Sequence, residues 1–339
     1  MERTLLYYPT IGIPNKKWIY TALLFSDKIS SIVPYDHIIE EKEFQTDLKD
    51  LFYNGLYDPI YINKFIDSSK HDFQDLENEF IATVESDLFV NNIQNDKSNY
   101  TYFDRLFNTK MSDKIYFFMK DHNYIKDTDS ISIYVNEKVT LLYMSILAQY
   151  IANVTDDKYI TPSTDDKRYE NIAFKSSNHD EQYALNIILK KCIPSPIESS
   201  PIESIIEFKK KRREELLNFR KYIKNFQFKI TNAKSNTDKK EIIVGAKEDI
   251  ELGINELDRL YKDSNINTSI TTFDSLIKTD EPEQHEASTS SSIVGIGSSI
   301  GGTILVGSKS ISTYCANKEK IDNSEFSYLF HAKKSGLVE

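Results

Sequence analysis

The sequence predicts an α+β or α/β N-terminal domain followed by an α-helical hairpin and a helical tail. Three observations carry this. The chain opens with strand, helix and strand signals joined by short connections over residues 4–33. A proline-rich break falls at 193–204. Beyond it, two runs of apolar residues recur at alternating three- and four-residue spacing.

In the opening, Thr4–Pro9 reads as a strand and Pro14-Asn15 as a turn. Trp18, Leu23, Leu24 and Ile29 fall near helical spacing, and Ser31–Val33 reads as a second strand. Glu40–Leu56 reads as an amphipathic helix through Phe44, Leu48, Leu51 and Phe52, and Pro59–Phe65 alternates like a half-buried strand. Phe73–Val84 is helical, Asn91–Tyr100 is a polar loop, Asp113–Asn123 is a short helix and Ile131–Val135 a strand. Val139–Val154 is the most apolar helix of this half. It has 16 residues and an internal Gln149. A membrane span needs about 20 apolar residues, so this run belongs in a core. Tyr159–Pro162 leads into a polar loop, and Gln182–Cys192 is helical.

The tandem SPIES repeat within Ile193–Ser204 carries Pro194, Pro196 and Pro201, which cannot continue a helix. Then Ile202, Ile205, Lys209, Arg212, Leu216, Phe219, Ile223, Phe226 and Ile230 form one seam. Ile243, Ala246, Ile250, Gly253, Leu257 and Leu260 form a second, with polar Thr231–Lys240 between them. Two seams joined by a short polar loop predict an antiparallel helical hairpin. The organisation is then a mixed domain at 1–192, a Pro/Ser linker at 193–204, the hairpin at 205–262, a polar linker at 263–292, and a Gly-rich apolar segment with a C-terminal helix at 293–339.

With 21 Tyr and 19 Phe among 339 residues, the chain has the aromatic area for a sizeable core. The net charge of −10 excludes wholesale coating of nucleic acid. It hides an asymmetry: residues 208–247 hold 13 Lys/Arg and 4 Asp/Glu, a charge of +9, so the remainder is −19. Cys192 and Cys315 are too few for a disulfide framework or a zinc site built on cysteines. No signal peptide is visible at the N-terminus, and a cytoplasmic location is expected.

The opening resembles a bacterial family known only as a domain of unknown function. The residues that carry the resemblance are Tyr8-Pro9, Trp18, Ala22-Leu23-Leu24 and Ile32-Val33-Pro34, then Ile205–Ile223 after the proline-rich step, and the Phe326–Val338 tail. The resemblance implies a bacterial source, a matching architecture and a link to phage defence. It implies no activity and no catalytic residue.

No nucleotide motif is complete. Gly295 and Gly297 begin a dinucleotide fingerprint that fails at Ile300. Gly302 and Gly307 have phosphate-loop spacing, but Ser308 stands where Lys is required. Ile293–Gly307 also permits a membrane-acting effector, although it is diluted by Ser and Gly, and a membrane partner is not expected. The histidines show no metal-binding helical spacing. His179-Asp180-Glu181 is a candidate ligand cluster, better read as a solvated loop, so no metal site is expected.

Thr164, Asp165 and Asp166 are the candidate catalytic residues, because acids at the carboxyl end of a strand sit where α/β sheets bind ligands. There they would hold Mg²⁺ for a metal-dependent phosphodiester hydrolase or nuclease. The alternative for the same residues is a turn and helix N-cap. Lys209, Lys210, Lys211, Arg212 and Arg213 are the candidate binding residues. They suit the phosphates of nucleic acid less well than an acidic protein surface on this chain or another. Large apolar and charged features without a catalytic signature favour a binding or regulatory protein acting through protein–protein contacts, including self-association.

Overall fold

Strand and helix alternate from the first residues. The computed structural model describes residues 2–13, 15–35, 38–41, 44–67, 69–86, 89, 102–169, 192–263 and 316–339. The expected loop at 91–100, nearly all of the helix expected at 182–192, the histidine cluster at 179–181 and the Gly-rich segment at 293–307 lie outside these residues.

Strand β1 (Arg3–Tyr7), helix α1 (Lys16–Phe25) and strand β2 (Lys28–Val33) form the opening unit. Asn15 caps α1, its side chain accepting from the Trp18 amide at 3.2 Å. Helix α2 (Thr46–Tyr53) leads to β3 (Ile60–Tyr61), and α3 (His71–Glu85) follows. A smaller sheet comes next: β4 (Phe103–Phe107), α4 (Asp113–Asp121), β5 (Ile125–Thr128) and β6 (Ser132–Asn136). Helix α5 (Glu137–Val154) then delivers β7 (Tyr159–Ser163).

The main sheet has the order β3-β2-β1-β7 and every pairing is parallel. Side chains of β1 and the residue after it alternate between two apolar clusters: Leu5 and Tyr7 enter one, Leu6 and Tyr8 the other. The sheet is therefore buried on both faces, as parallel sheets are. One face is covered by α3, α4, α5 and the antiparallel sheet β4-β6-β5. The other is covered by α1, α2 and the C-terminal helices.

Those helices are α6 (Ile202–Lys211), α7 (Arg213–Thr231), α8 (Asn236–Asp263) and α9 (Ser327–Lys334), with a further helical stretch at 316–323. Helices α7 and α8 make the hairpin, and Leu216, Phe219, Ile223, Phe226, Ile230, Ala246, Ile250 and Leu257 of the two seams are buried. The first seam is two helices rather than one. Arg212 leaves helical geometry at φ −113° and ψ 36°, which lets α6 turn against α1.

Other differences are local. Pro59–Phe65 is a strand only at Ile60–Tyr61, because a 3₁₀ turn at Ile62–Lys64 sends Ile62 into the core. The helix expected at 40–56 is shortened to α2, with a 3₁₀ turn at Ile38–Glu40 before it. Strands β4 and β5 carry no clean alternation in sequence and are made by pairing with β6.

The tail is tied to the body. Tyr328 is fully buried and donates to the Leu24 carbonyl at 2.7 Å. Gly336, at φ +67°, ends α9 in a Schellman turn, with Leu337 N–H bonded to the Ala332 carbonyl and Gly336 N–H to that of Lys333. The proline-rich segment meets this tail, Ile197 N–H donating to the Leu337 carbonyl and Glu339 N–H to that of Ser195. Among the described residues no helix is long and apolar enough to cross a membrane.

Candidate functional site

β1 lies between β2 and β7: its connection to β2 runs through α1 on one face, while β7 is delivered by α5 on the other. Tyr7 and Ser163 are register partners at the carboxyl ends of these strands. The crevice above such a switch point is where open α/β sheets place ligands. Thr164, Asp165 and Asp166 follow Ser163 directly, so the structure puts all three there.

Their hydrogen bonds show what they do locally. Thr164 is buried, and its hydroxyl accepts from the Asp166 amide at 3.0 Å. Asp166 accepts from the Arg168 amide at 3.0 Å, capping the short helical turn at 167–169. Asp165 reaches across the crevice: it accepts from the Tyr7 hydroxyl at 2.9 Å and from Asn15 Nδ2 at 2.6 Å. It thereby ties the loop after β7 to the cap of α1. Burial, then the Asp165 charge, push the Tyr7 hydroxyl above its usual range, so Tyr7 remains a donor.

Arg168 fills the acidic centre. Its guanidinium bonds Asp166 at 2.7 Å and Glu137 at 2.7 Å, and contacts Asp104 at 3.4 Å. These bonds, that of Asp166 first, hold the guanidinium above its ordinary pKa. Burial raises the Asp104 carboxyl despite Arg168. The fork occupies the place between carboxylates that a divalent ion would take. Among the described residues, two groups of at least three His or carboxylate side chains have metal-ligand spacing, and neither includes Asp165 or Asp166. Asp104, Glu137 and Arg168 were not visible as partners in the sequence, since they come from separate elements.

The basic run is largely spent within the molecule. Lys209 donates to the Ser26 carbonyl at 2.5 Å and Arg220 to the Phe25 carbonyl at 3.0 Å. Both cations cap the carboxyl end of α1, where the helix dipole favours positive charge. Arg213 and Arg220 also pair with Asp27, at 2.8 and 3.2 Å. Burial lowers the Lys209 pKa to about 8. Arg212 pairs with Glu215 at 2.8 Å. Lys210 and Lys211 face solvent.

A different basic surface lies on the outer face of α7. Leu217, Lys221, Lys224 and Phe228 are all exposed, Leu217 at 44% and Phe228 at 70%. At 3.6 residues per turn they fall within an arc of about 60°, opposite the buried seam. The signal was present in the sequence: Leu217 and Phe228 are large apolar residues that the seam does not use. Between α3 and α5 lies a surface of the opposite kind, an open groove of about 430 Å³. Exposed Asp72, Asp75, Glu79 and Asp156 line it, with buried Leu76 and Ile146 among its apolar residues.

The fold is thus a parallel α/β sheet protein whose helical C-terminal half completes the covering of one face. The chain belongs to a family of unknown function, DUF6236, whose family model matches residues 145–336. The match takes in α6, α7, α8 and most of the tail, while the opening strand-helix-strand lies before it. No curated protein and no solved structure matches the chain.

Proposed function

We propose that the chain is a protein-interaction module that binds an acidic, partly apolar protein surface through the outer face of α7. The observation that carries this is the exposed Leu217, Lys221, Lys224 and Phe228 stripe. An aromatic side chain buries 150–250 Å², so covering the exposed 70% of Phe228 is worth about 3–4 kcal/mol at ~25 cal/mol per Å². That is the size of an interface hot spot. The lysines add steering toward negative charge. The stripe is narrow, which suits a weak and reversible contact.

The occupant we propose is the acidic groove of a second copy. Its carboxylates complement Lys221 and Lys224, and its apolar lining complements Leu217 and Phe228. Stripe and groove are different patches, so the contact is head-to-tail and builds rings or filaments. Sedimentation equilibrium of the full chain at low and high salt tests it. Concentration-dependent assembly, weakened by salt and at least tenfold by Phe228→Ala, is expected. A chain that stays monomeric at every concentration in low salt refutes it.

A further inference from the structure

We propose that Glu215, Asp322 and His331 form a binding site for a divalent transition ion of the zinc class, which fastens the C-terminal helices to α7. The three residues come from three elements: the first turn of α7, the stretch at 316–323, and α9. One ligand atom of each lies within 4.8 Å of the other two.

The decisive atom is Nε2 of His331. It is shut off from solvent and has no hydrogen-bond partner. Buried polar atoms are nearly always satisfied, so an exception asks for a cause. Nε2 faces Asp322 Oδ1 at 3.6 Å. That is too long for a hydrogen bond. It is the right separation for two ligands of one ion, since bonds of about 2.1 Å at a near-tetrahedral angle set ligand atoms roughly 3.4–3.6 Å apart. The widest separation in the set, at most 4.8 Å, must close by no more than about 1.2–1.4 Å for such bonds. Asp322 can supply it, because its side chain is 39% exposed, against 15% for His331 and 11% for Glu215.

Arg212 sits beside the site without filling it. It donates to Glu215 Oε1 at 2.8 Å and so fixes that carboxylate. Two carboxylates and one guanidinium leave a net charge of −1 before an ion enters. One imidazole with two carboxylates suits zinc-class ions better than calcium, which takes oxygen alone. Three protein ligands leave a fourth position for water on the Asp322 side. The other metal-spaced group, His71, Asp72 and Asp75, is exposed and lies on one helix, which makes it a control.

The test uses full-length protein stripped with chelator and titrated with Co²⁺, read by visible absorption, and with Zn²⁺, read by calorimetry. One equivalent should bind per chain, and Zn²⁺ should raise the melting temperature. Asp322→Asn and His331→Gln should each weaken binding at least tenfold and abolish the thermal shift, while His71→Ala changes neither. Asp322 is the more exposed ligand, so its variant keeps the test valid if the His331 variant fails to fold. Absence of one-to-one binding, binding untouched by Asp322→Asn, or binding lost with His71→Ala would overturn the proposal.

Discussion

Replacing Gly253 by alanine probes how closely the tail is seated on the hairpin. Gly253 lies within α8, where glycine is ordinarily worth about 1 kcal/mol less than alanine. On propensity alone the substitution stabilises. The structure argues the reverse. A Cβ at this position would lie 2.1 Å from Cδ2 of Phe326 and under 3.0 Å from two more of its ring atoms. Phe326 is 8% exposed and stacks edge-on against Tyr222 at 5.0 Å, so the ring cannot simply swing aside. Forcing a methyl into a packed contact costs about 1–3 kcal/mol, typically more than the propensity gain. The expected net effect of Gly253→Ala is a loss of up to about 2 kcal/mol in urea-induced unfolding. Phe326→Leu in the same chain should recover part of it, since the two sites are in contact. A more stable Gly253→Ala protein would refute the seating of the tail on α8.

Three further outcomes are expected. Leu216→Asp puts a carboxylate at a fully buried seam position and should cost roughly 3–5 kcal/mol in the same unfolding assay, while an unchanged midpoint would mean the seam does not face the core. Burial alone would raise the Asp27 carboxyl, yet hydrogen bonds from Arg220, the Arg3 amide and Arg213 hold it well below the usual range. A depressed folded-state pKa gives stability that is present above the unfolded pKa and lost as pH falls through the folded one. Asp27→Asn should therefore flatten the acid limb of a stability–pH curve below about pH 4, and an unaltered limb contradicts the pairing. Burial lowers Lys110 from 10.5 to about 7, so between these values the unfolded chain binds more protons and stability rises with pH. Lys110→Met should raise stability at neutral pH and remove that rise, as thermal melts from pH 7 to pH 10 would show.

The parts of the fold legible in the sequence were those with strong local periodicity. The opening strand-helix-strand, α3, α5 and the hairpin seams each repeat their apolar residues at a period that names the element. β4 and β5 were missed because FDRLF and IKDT owe their extended form to pairing with β6. The break at Arg212 was missed because the three-four spacing runs through it unbroken, while the bend comes from packing α6 on α1. The place of Thr164, Asp165 and Asp166 at a strand end was readable, since it depends on chain order alone. Their partners were not: Arg168 is near in sequence, but Asp104, Glu137, Tyr7 and Asn15 reach them only through topology. The same holds for Glu215, Asp322 and His331, whose spacing of 107 and 9 residues resembles no motif.

The central claim is that the outer face of α7 meets the acidic groove of another copy, and a charge exchange between two chains tests it most directly. One variant carries Lys221→Glu and Lys224→Glu; the other carries Asp75→Lys, Glu79→Lys and Asp156→Lys, which takes the four groove acids to a net positive charge. All five side chains are exposed, so both proteins should fold. In the first, an acidic stripe faces an acidic groove; in the second, both surfaces are basic. Light scattering should find each monomeric alone, and their equal mixture assembled at low salt, because each stripe then meets a groove of opposite sign. Two variants that remain monomeric when mixed, or that each assemble as the unaltered chain does, would contradict the account.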